Sequence, residues 1–186
     1  MDQSQQLDQF LQDNPEIEIF EVILHDLNGI HRGKWLPREQ VGKLFEGGYK
    51  MPQSACSLDS WGRDLEELIS VTGDTDGVCR PHAETLAAVP WADRPTAQIV
   101  VSMGGFSGDE PYLGDCRVVL ENVLKRYEKL GLTPVVASEM EFHLFELDRD
   151  RFGVPQHSQR ALDGSPTLGG HTYGIEAMRD VAPLMD

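Results

Sequence analysis

The spacing of apolar and polar residues divides the chain into a series of short elements. Leu7, Phe10 and Leu11 recur at helical spacing over residues 5–13, and Pro15 stops the pattern, which predicts a helix. Residues 17–27 are β-rich, with Ile17, Ile19, Phe20, Val22, Ile23 and Leu24. Asn28-Gly29 then predicts a tight hairpin turn, and residues 31–36 its return strand. Pro37 opens a short helix with Val41, Leu44 and Phe45 on one face, closed by Gly47-Gly48. Residues 51–95 are punctuated by turns, with short strands expected near 54–58, 77–80 and 84–88. Residues 97–103 form a continuous apolar run that predicts a buried strand. Gly104, Gly105 and Gly108 break the chain and suggest a boundary between domains 1–107 and 108–186. Beyond it, Asp115 should cap a helix to about Leu130. Val119, Val123, Tyr127 and Leu130 would be its packed face, Glu121 and Lys125 an i,i+4 pair, and Gly131 its end. A long strand is expected over 134–147, a loop over 148–170 and a helix from 174, with Ile175, Met178, Val181 and Leu184 in register. A hairpin, helix and further short strands in this order indicate an α+β fold. Helix–strand–helix alone cannot close a sheet, so the second domain reads as incomplete.

The expected strand over 134–147 holds the candidate chemistry. Successive side chains of a strand point to opposite faces, so Glu139, Glu141 and His143 would share one side. Val136, Met140, Phe142 and Leu144 would form the other, buried side. Same-face neighbours lie roughly 6.5–7 Å apart. Two carboxylates that close repel each other unless a cation lies between or over them. Hard divalent ions such as Mg2+ or Mn2+ favour such oxygen donors. A solvated polar face explains the same alternation, and one strand supplies too few ligands for a closed site. Spacing alone leaves both readings open.

Composition narrows the partners. A hydrophobic content of 40% with 8% aromatics is that of a globular chain. The formal net charge of −15 disfavours nucleic acid and anionic membrane, which both call for a basic footprint. Cys56, Cys79 and Cys116 form no C-x-x-C pair, which argues against a disulfide framework or zinc site and fits a reducing cytoplasm. The polar N-terminus has no apolar segment of signal-peptide type, and no apolar run is long enough to span a membrane. The phosphate-binding motifs G-x-x-x-x-G-K-[ST] and G-x-G-x-x-G are absent, as is H-E-x-x-H.

Several segments, taken in order, resemble the glutamine synthetase family, most closely its γ-glutamylpolyamine (γ-glutamylputrescine) synthetase branch. Residues 20–37, with Asp26, Gly29, Arg32-Gly33-Lys34 and Pro37, are similar to the D-x-x-G-x-x-R-G-K-x-x-P signature of that family's β-grasp domain. Met51-Pro52-Gln53-Ser54 with Leu58-Asp59-Ser60-Trp61-Gly62 resembles the loop that follows, and Val89-Pro90-Trp91-Ala92 with Pro95-Thr96-Ala97 the approach to the domain's last strand. Ser138-Glu139-Met140-Glu141-Phe142-His143-Leu144-Phe145 is similar to the family's E-x-E-F-x-L-F strand, the first of its catalytic domain. The ordered set is specific, although no single motif in it is.

The resemblance implies a β-grasp domain followed by the truncated start of the α/β catalytic domain. It implies ATP-dependent ligation of an amine to the γ-carboxylate of L-glutamate through a γ-glutamyl phosphate. Glu139 and Glu141 would be metal ligands in a site holding two or more Mg2+ or Mn2+ ions. His143 would be a group behind the ligands or a packed histidine at the sheet rim. Asp59 aligns with the family's aspartate that binds and deprotonates ammonium in the neighbouring subunit, although a loop aspartate bonding its own backbone fits equally. The chain reads Asp59-Ser60-Trp61-Gly62 where glutamine synthetases proper have D-G-S-S, which favours a larger amine. Arg32 and Lys34 read either as a solvated edge strand or as facing phosphate or carboxylate across an interface. Homo-oligomeric rings pairing into a dodecamer are implied for the intact enzyme, whose nucleotide-binding residues would lie outside this chain. Two further readings are a glutamine synthetase using ammonia and a naturally short assembly or regulatory module. The reading frame downstream of Asp186 separates truncation from a genuine short protein. The 186-residue polypeptide alone is expected to be inactive, and ATP turnover by the purified chain would contradict that.

Overall fold

The computed structural model describes residues 2–67, 73–105, 110–139, 141–160, 163–167 and 174–182. They fall into two compact units, residues 1–134 and 135–186.

The first unit is built around β6 (Thr96–Met103), the strand expected from the apolar run. Ala97, Ile99, Val101 and Met103 are all fully buried along one face, as a period of two requires. The sheet order is β2 (His31–Pro37), β1 (Ile19–His25), β6, β4 (Asp76–Pro81), β3 (Lys50–Pro52), with β5 (Ala87–Ala88) also on β6. β1 runs parallel to β6, and β4 and β5 run antiparallel to it. With helices against a mixed sheet, the unit is α+β. Ile99, Val101 and Met103 pack with Val22, Leu24, Leu44, Tyr49, Met51, Cys56 and Cys79. A second cluster joins Leu7, Ile17, Phe20, Val41 and Ala97.

Local chemistry explains the flanking elements. Helix α1 (Gln3–Asp13) starts with a capping box, in which Asp2 accepts the Gln5 N–H and the Gln5 side chain accepts the Asp2 N–H. Arg38 braces its C-terminal end, its guanidinium donating to the carbonyls of Leu11 in the last turn, Asn14 at the cap and Ile17 beyond it. Short helix α2 (Gly42–Phe45) buries Leu44 in the main core. Gly33 lies so close to β1 that a Cβ there would meet the Val22 carbonyl oxygen at 1.8 Å, so no larger residue fits without parting the strands.

Several expectations are corrected. Asn28-Gly29 is not a two-residue turn: β1 and β2 pair as far as His25 and His31, and a five-residue loop, 26–30, joins them. Only Gly29 takes a positive φ there, whereas the tight turn suggested by Asn-Gly needs two such residues. Residues 53–56 form a 3-10 helix rather than a strand, with β3 just before it. Helix α3 (Cys116–Lys129) forms where expected, capped by Asp115, but its apolar face is not packed. Val119, Val123, Tyr127 and Leu130 are exposed and Val118 is buried instead, because α3 meets the sheet only near its first turn. That contact groups α3 with the first compact unit, which therefore runs to residue 134.

In the second unit the long strand shrinks to β7 (Phe145–Arg149), paired with β8 (Pro155–His157) inside the expected loop. The described residues of 134–144 are coil, and Val135, Val136 and Phe142 are exposed. A strand exists only against a neighbour, and among the described residues none pairs with this segment. Helix α4 (Ile175–Val181) forms as expected, while Leu184 lies outside the described residues. No described helix is long and apolar enough to cross a membrane.

Leu44→Ala should lower stability by about 2–5 kcal/mol in urea unfolding, since it empties a fully buried site. Cys56, Cys79 and Cys116 are free thiols. Burial pushes Cys56 and Cys79 up to about 12, so their thiols are unreactive. A thiol reagent at pH 8 should label at most one cysteine in the native chain, Cys116, and all three in urea.

Candidate functional site

One hydrogen-bonded five-residue loop of sequence D-x-x-G-x occurs at 26–30, 59–63 and 150–154, whereas the same spacing at 74–78 leads into β4. In each of these loops, an aspartate Oδ1 accepts the N–H groups of the second and fourth residues after it. For Asp26 these are Asn28 and Ile30, at 2.8 and 2.9 Å. For Asp59 they are Trp61 and Arg63, at 2.8 and 2.9 Å, and for Asp150 they are Phe152 and Val154, both at 2.8 Å. The aspartate carbonyl accepts the glycine N–H, and the aspartate N–H donates to the last residue's carbonyl. The glycine takes φ of +74°, +78° or +80°, which only glycine adopts readily. The same set of bonds thus closes both hairpins and shapes the Asp59 loop.

The first two loops are joined. The Asn28 side-chain amide donates to the carbonyls of Leu58 and Asp59, at 2.9 and 3.3 Å. Asp26 is buried, and its Oδ2 accepts Arg32 Nε at 3.0 Å. Burial pushes the Asp26 carboxyl up. The Ile30 N–H, the Arg32 guanidinium and the Asn28 N–H outweigh it and hold the group below the ordinary carboxylate value. Arg32 is half-buried and ion-paired through Nε, and its buried Nη2 has no partner among the described residues. Lys34 extends over the Tyr49 ring, 5.7 Å from its centroid.

Asp59 commits Oδ1 to its own backbone, and its side chain is half-buried. Arg63 Nε lies 3.9 Å from Oδ2, and the Arg63 guanidinium stacks 5.3 Å from the centre of the exposed Trp61 ring. Glu139 and Glu141 are exposed and lie in coil, so the single carboxylate face expected of a strand does not form. His143 is exposed beside Phe145, with ring centres 6.4 Å apart. The described residues contain no cluster of three or more His, Cys, Asp or Glu side chains able to hold a metal. As a donor set Glu139 and Glu141 suit a hard divalent ion, but they are two ligands of the six or so such an ion takes. Motif reading names Asp26 and Trp61 only as members of family-like segments and does not reach Arg63, although the D-x-x-G-x spacing is visible in the sequence.

Residues 113–186 match the family model described as glutamine synthetase, catalytic domain. The chain belongs to the glutamine synthetase family. Over nearly its full length it is similar to γ-glutamylputrescine synthetase PuuA of Escherichia coli (strain K12), with 32% identity over 185 residues, covering 98% of this chain and 39% of that enzyme. It is also 30% identical over 121 residues to glutamine synthetase of Thermococcus kodakarensis, covering 65% of this chain and 24% of that one. A solved structure of a GmaS–ADP complex superposes with a TM-score of 0.52 at 25% identity, covering 67% of this chain and 26% of that one. The chain therefore spans well under half the length of the relatives it matches.

Asp26→Asn should cost about 1–3 kcal/mol at neutral pH, because it leaves the Arg32 guanidinium without its anion. The folded-state pKa of Asp26 is depressed, so its contribution is complete above the ordinary value of 3.8 and is lost as pH falls through the lower folded value. Urea unfolding of both proteins should show a stability gap that is steady from pH 7 to about 5 and closes below pH 3.8.

Proposed function

We propose that the chain is the N-terminal part of an ATP-dependent carboxylate–amine ligase that joins a polyamine or similar amine to the γ-carboxylate of L-glutamate. The observation that carries this reading is the 32% identity to γ-glutamylputrescine synthetase over 98% of the chain. A carboxylate is a poor electrophile, so ATP first converts it to a γ-glutamyl phosphate, which the amine attacks. Glu139 and Glu141 would hold Mg2+ or Mn2+, whose charge, when bound, neutralises phosphate and stabilises phosphoryl transfer. Oδ2 of Asp59 would receive the incoming ammonium and take its proton, Oδ1 being occupied by the Trp61 and Arg63 N–H groups. Residues 1–107 would be a β-grasp domain and residues 108–186 the opening of the catalytic domain, in a cytoplasmic homo-oligomer, a dodecamer when intact.

A second reading, glutamine synthesis from ammonia, is favoured by the Thermococcus relative's name. The Asp59-Ser60-Trp61-Gly62 sequence weighs against it, since a tryptophan beside the aspartate suits an amine with an alkyl chain better than bare ammonium.

The test is phosphate release from ATP and glutamate by a polypeptide carrying these residues with a complete catalytic domain. Putrescine should support turnover at concentrations where ammonium does not; the reverse order establishes the second reading. Glu139→Ala and Glu141→Ala should each lower turnover by roughly 10–100-fold or more, with a higher metal concentration needed for half-maximal rate.

A further inference from the structure

The 59–63 loop holds a cation within itself. Asp59 Oδ2 supplies a negative charge and the Trp61 ring supplies a π-face. The Arg63 side chain occupies both, with Nε 3.9 Å from the oxygen and the guanidinium 5.3 Å from the ring centre. Among the described residues neither group is used by the fold. Trp61 is 78% exposed and lies outside both core clusters. The turn is held by Asp59 Oδ1 and by backbone bonds, so Oδ2, Trp61 and the Arg63 side chain are all spare. The Arg63 side chain is itself 73% exposed and can leave at little cost. Asn28 fixes the loop to the β1–β2 turn, which keeps the aspartate and the ring on one supported segment.

We infer that Asp59 Oδ2 and the Trp61 ring form an alkylammonium subsite, occupied by Arg63 until an amine displaces it. This rests on the reading of Asp59 as the amine-receiving residue and adds a means of selection. The ammonium group takes the place of the guanidinium against Oδ2, while the methylenes beside it lie across the indole. Bare ammonium has no methylene to place there and is more strongly hydrated. Arg63 acts as an internal competitor that keeps the carboxylate neutralised while the subsite holds no amine.

The subsite can be tested on the 186-residue chain by Trp61 fluorescence. Trp35 and Trp91, both well exposed, are replaced by Phe so that Trp61 is the sole tryptophan. Titration with 1,4-diaminobutane, against NaCl of equal ionic strength, should give a saturable change that ammonium chloride does not give. Arg63→Ala should tighten diamine binding about two- to five-fold, the size of an exposed cation–π contact. Asp59→Asn, which keeps an Oδ1 acceptor for the turn, should weaken it by a similar factor or more. The inference is overturned if the Arg63→Ala chain shows no saturable response beyond NaCl, if ammonium matches the diamine, or if Asp59→Asn leaves affinity unchanged. In the ligase assay, loss of turnover in Asp59→Asn with an unchanged putrescine KM in Trp61→Ala would overturn the subsite and leave the ligase reading intact. A fluorescence response without amine-dependent phosphate release would do the opposite.

Discussion

At its tight reversals this chain has backbone N–H groups that no strand or helix partner reaches, and aspartate carboxylates accept them. Two of these aspartates are buried, and much of the first unit hangs on them. Asp115 joins the end of β6 to the start of α3, taking the Met103 N–H at 2.6 Å and the Arg117 N–H at 2.8 Å. Asp26 closes the β1–β2 hairpin and holds Arg32 with its second oxygen. A carboxylate fits this task because it offers several lone-pair directions, whereas a buried N–H left without an acceptor costs about 1–3 kcal/mol. The strong negative charge of the sequence is thus partly structural: some of its acids are the acceptors around which turns are wound.

This use of aspartate also organises the candidate site. The loops at 26–30 and 59–63 have the same bonds but different environments for the second carboxylate oxygen. In Asp26 that oxygen is buried and committed to Arg32. In Asp59 it belongs to a half-buried side chain, beside an exposed ring and a loosely held arginine. One local geometry therefore serves once as a structural clasp and once as a platform that leaves an anionic oxygen available. The difference lies in burial and neighbours rather than in the turn, and Asn28 ties the platform to the clasp.

Those elements whose determinants are local could be read from the sequence. The period of two in β6, the Asp2 and Asp115 caps and the helical spacing of α1 all appear where the residues place them. Expectations failed where a distant partner decides. The apolar face of α3 was read correctly as apolar, but amphipathic spacing does not say what covers a helix, and here only Val118 is covered. The 134–147 segment has strand composition and too little to pair with among the described residues, so its described residues before β7 are coil. Asn28-Gly29 misled for a different reason. The dipeptide signals a two-residue turn, yet Asp26 two residues earlier offers a carboxylate that stabilises the longer loop.

The proposed metal role of Glu139 and Glu141 depends on that missing pairing. In coil no strand ladder sets the separation of the two glutamates, and ordering them about an ion costs backbone and side-chain entropy that two ligands repay poorly. On a paired strand the same residues are held roughly 6.5–7 Å apart on one face before any ion arrives. Strand pairing must then come first, with ligation adding to it, so metal affinity and order in this segment are linked. Asp59 differs, because its loop is complete within the first unit and needs no further strand to hold its shape. The proposed amine-receiving loop thus has its shape within the first unit, while the proposed metal ligands lie in coil with no paired strand among the described residues.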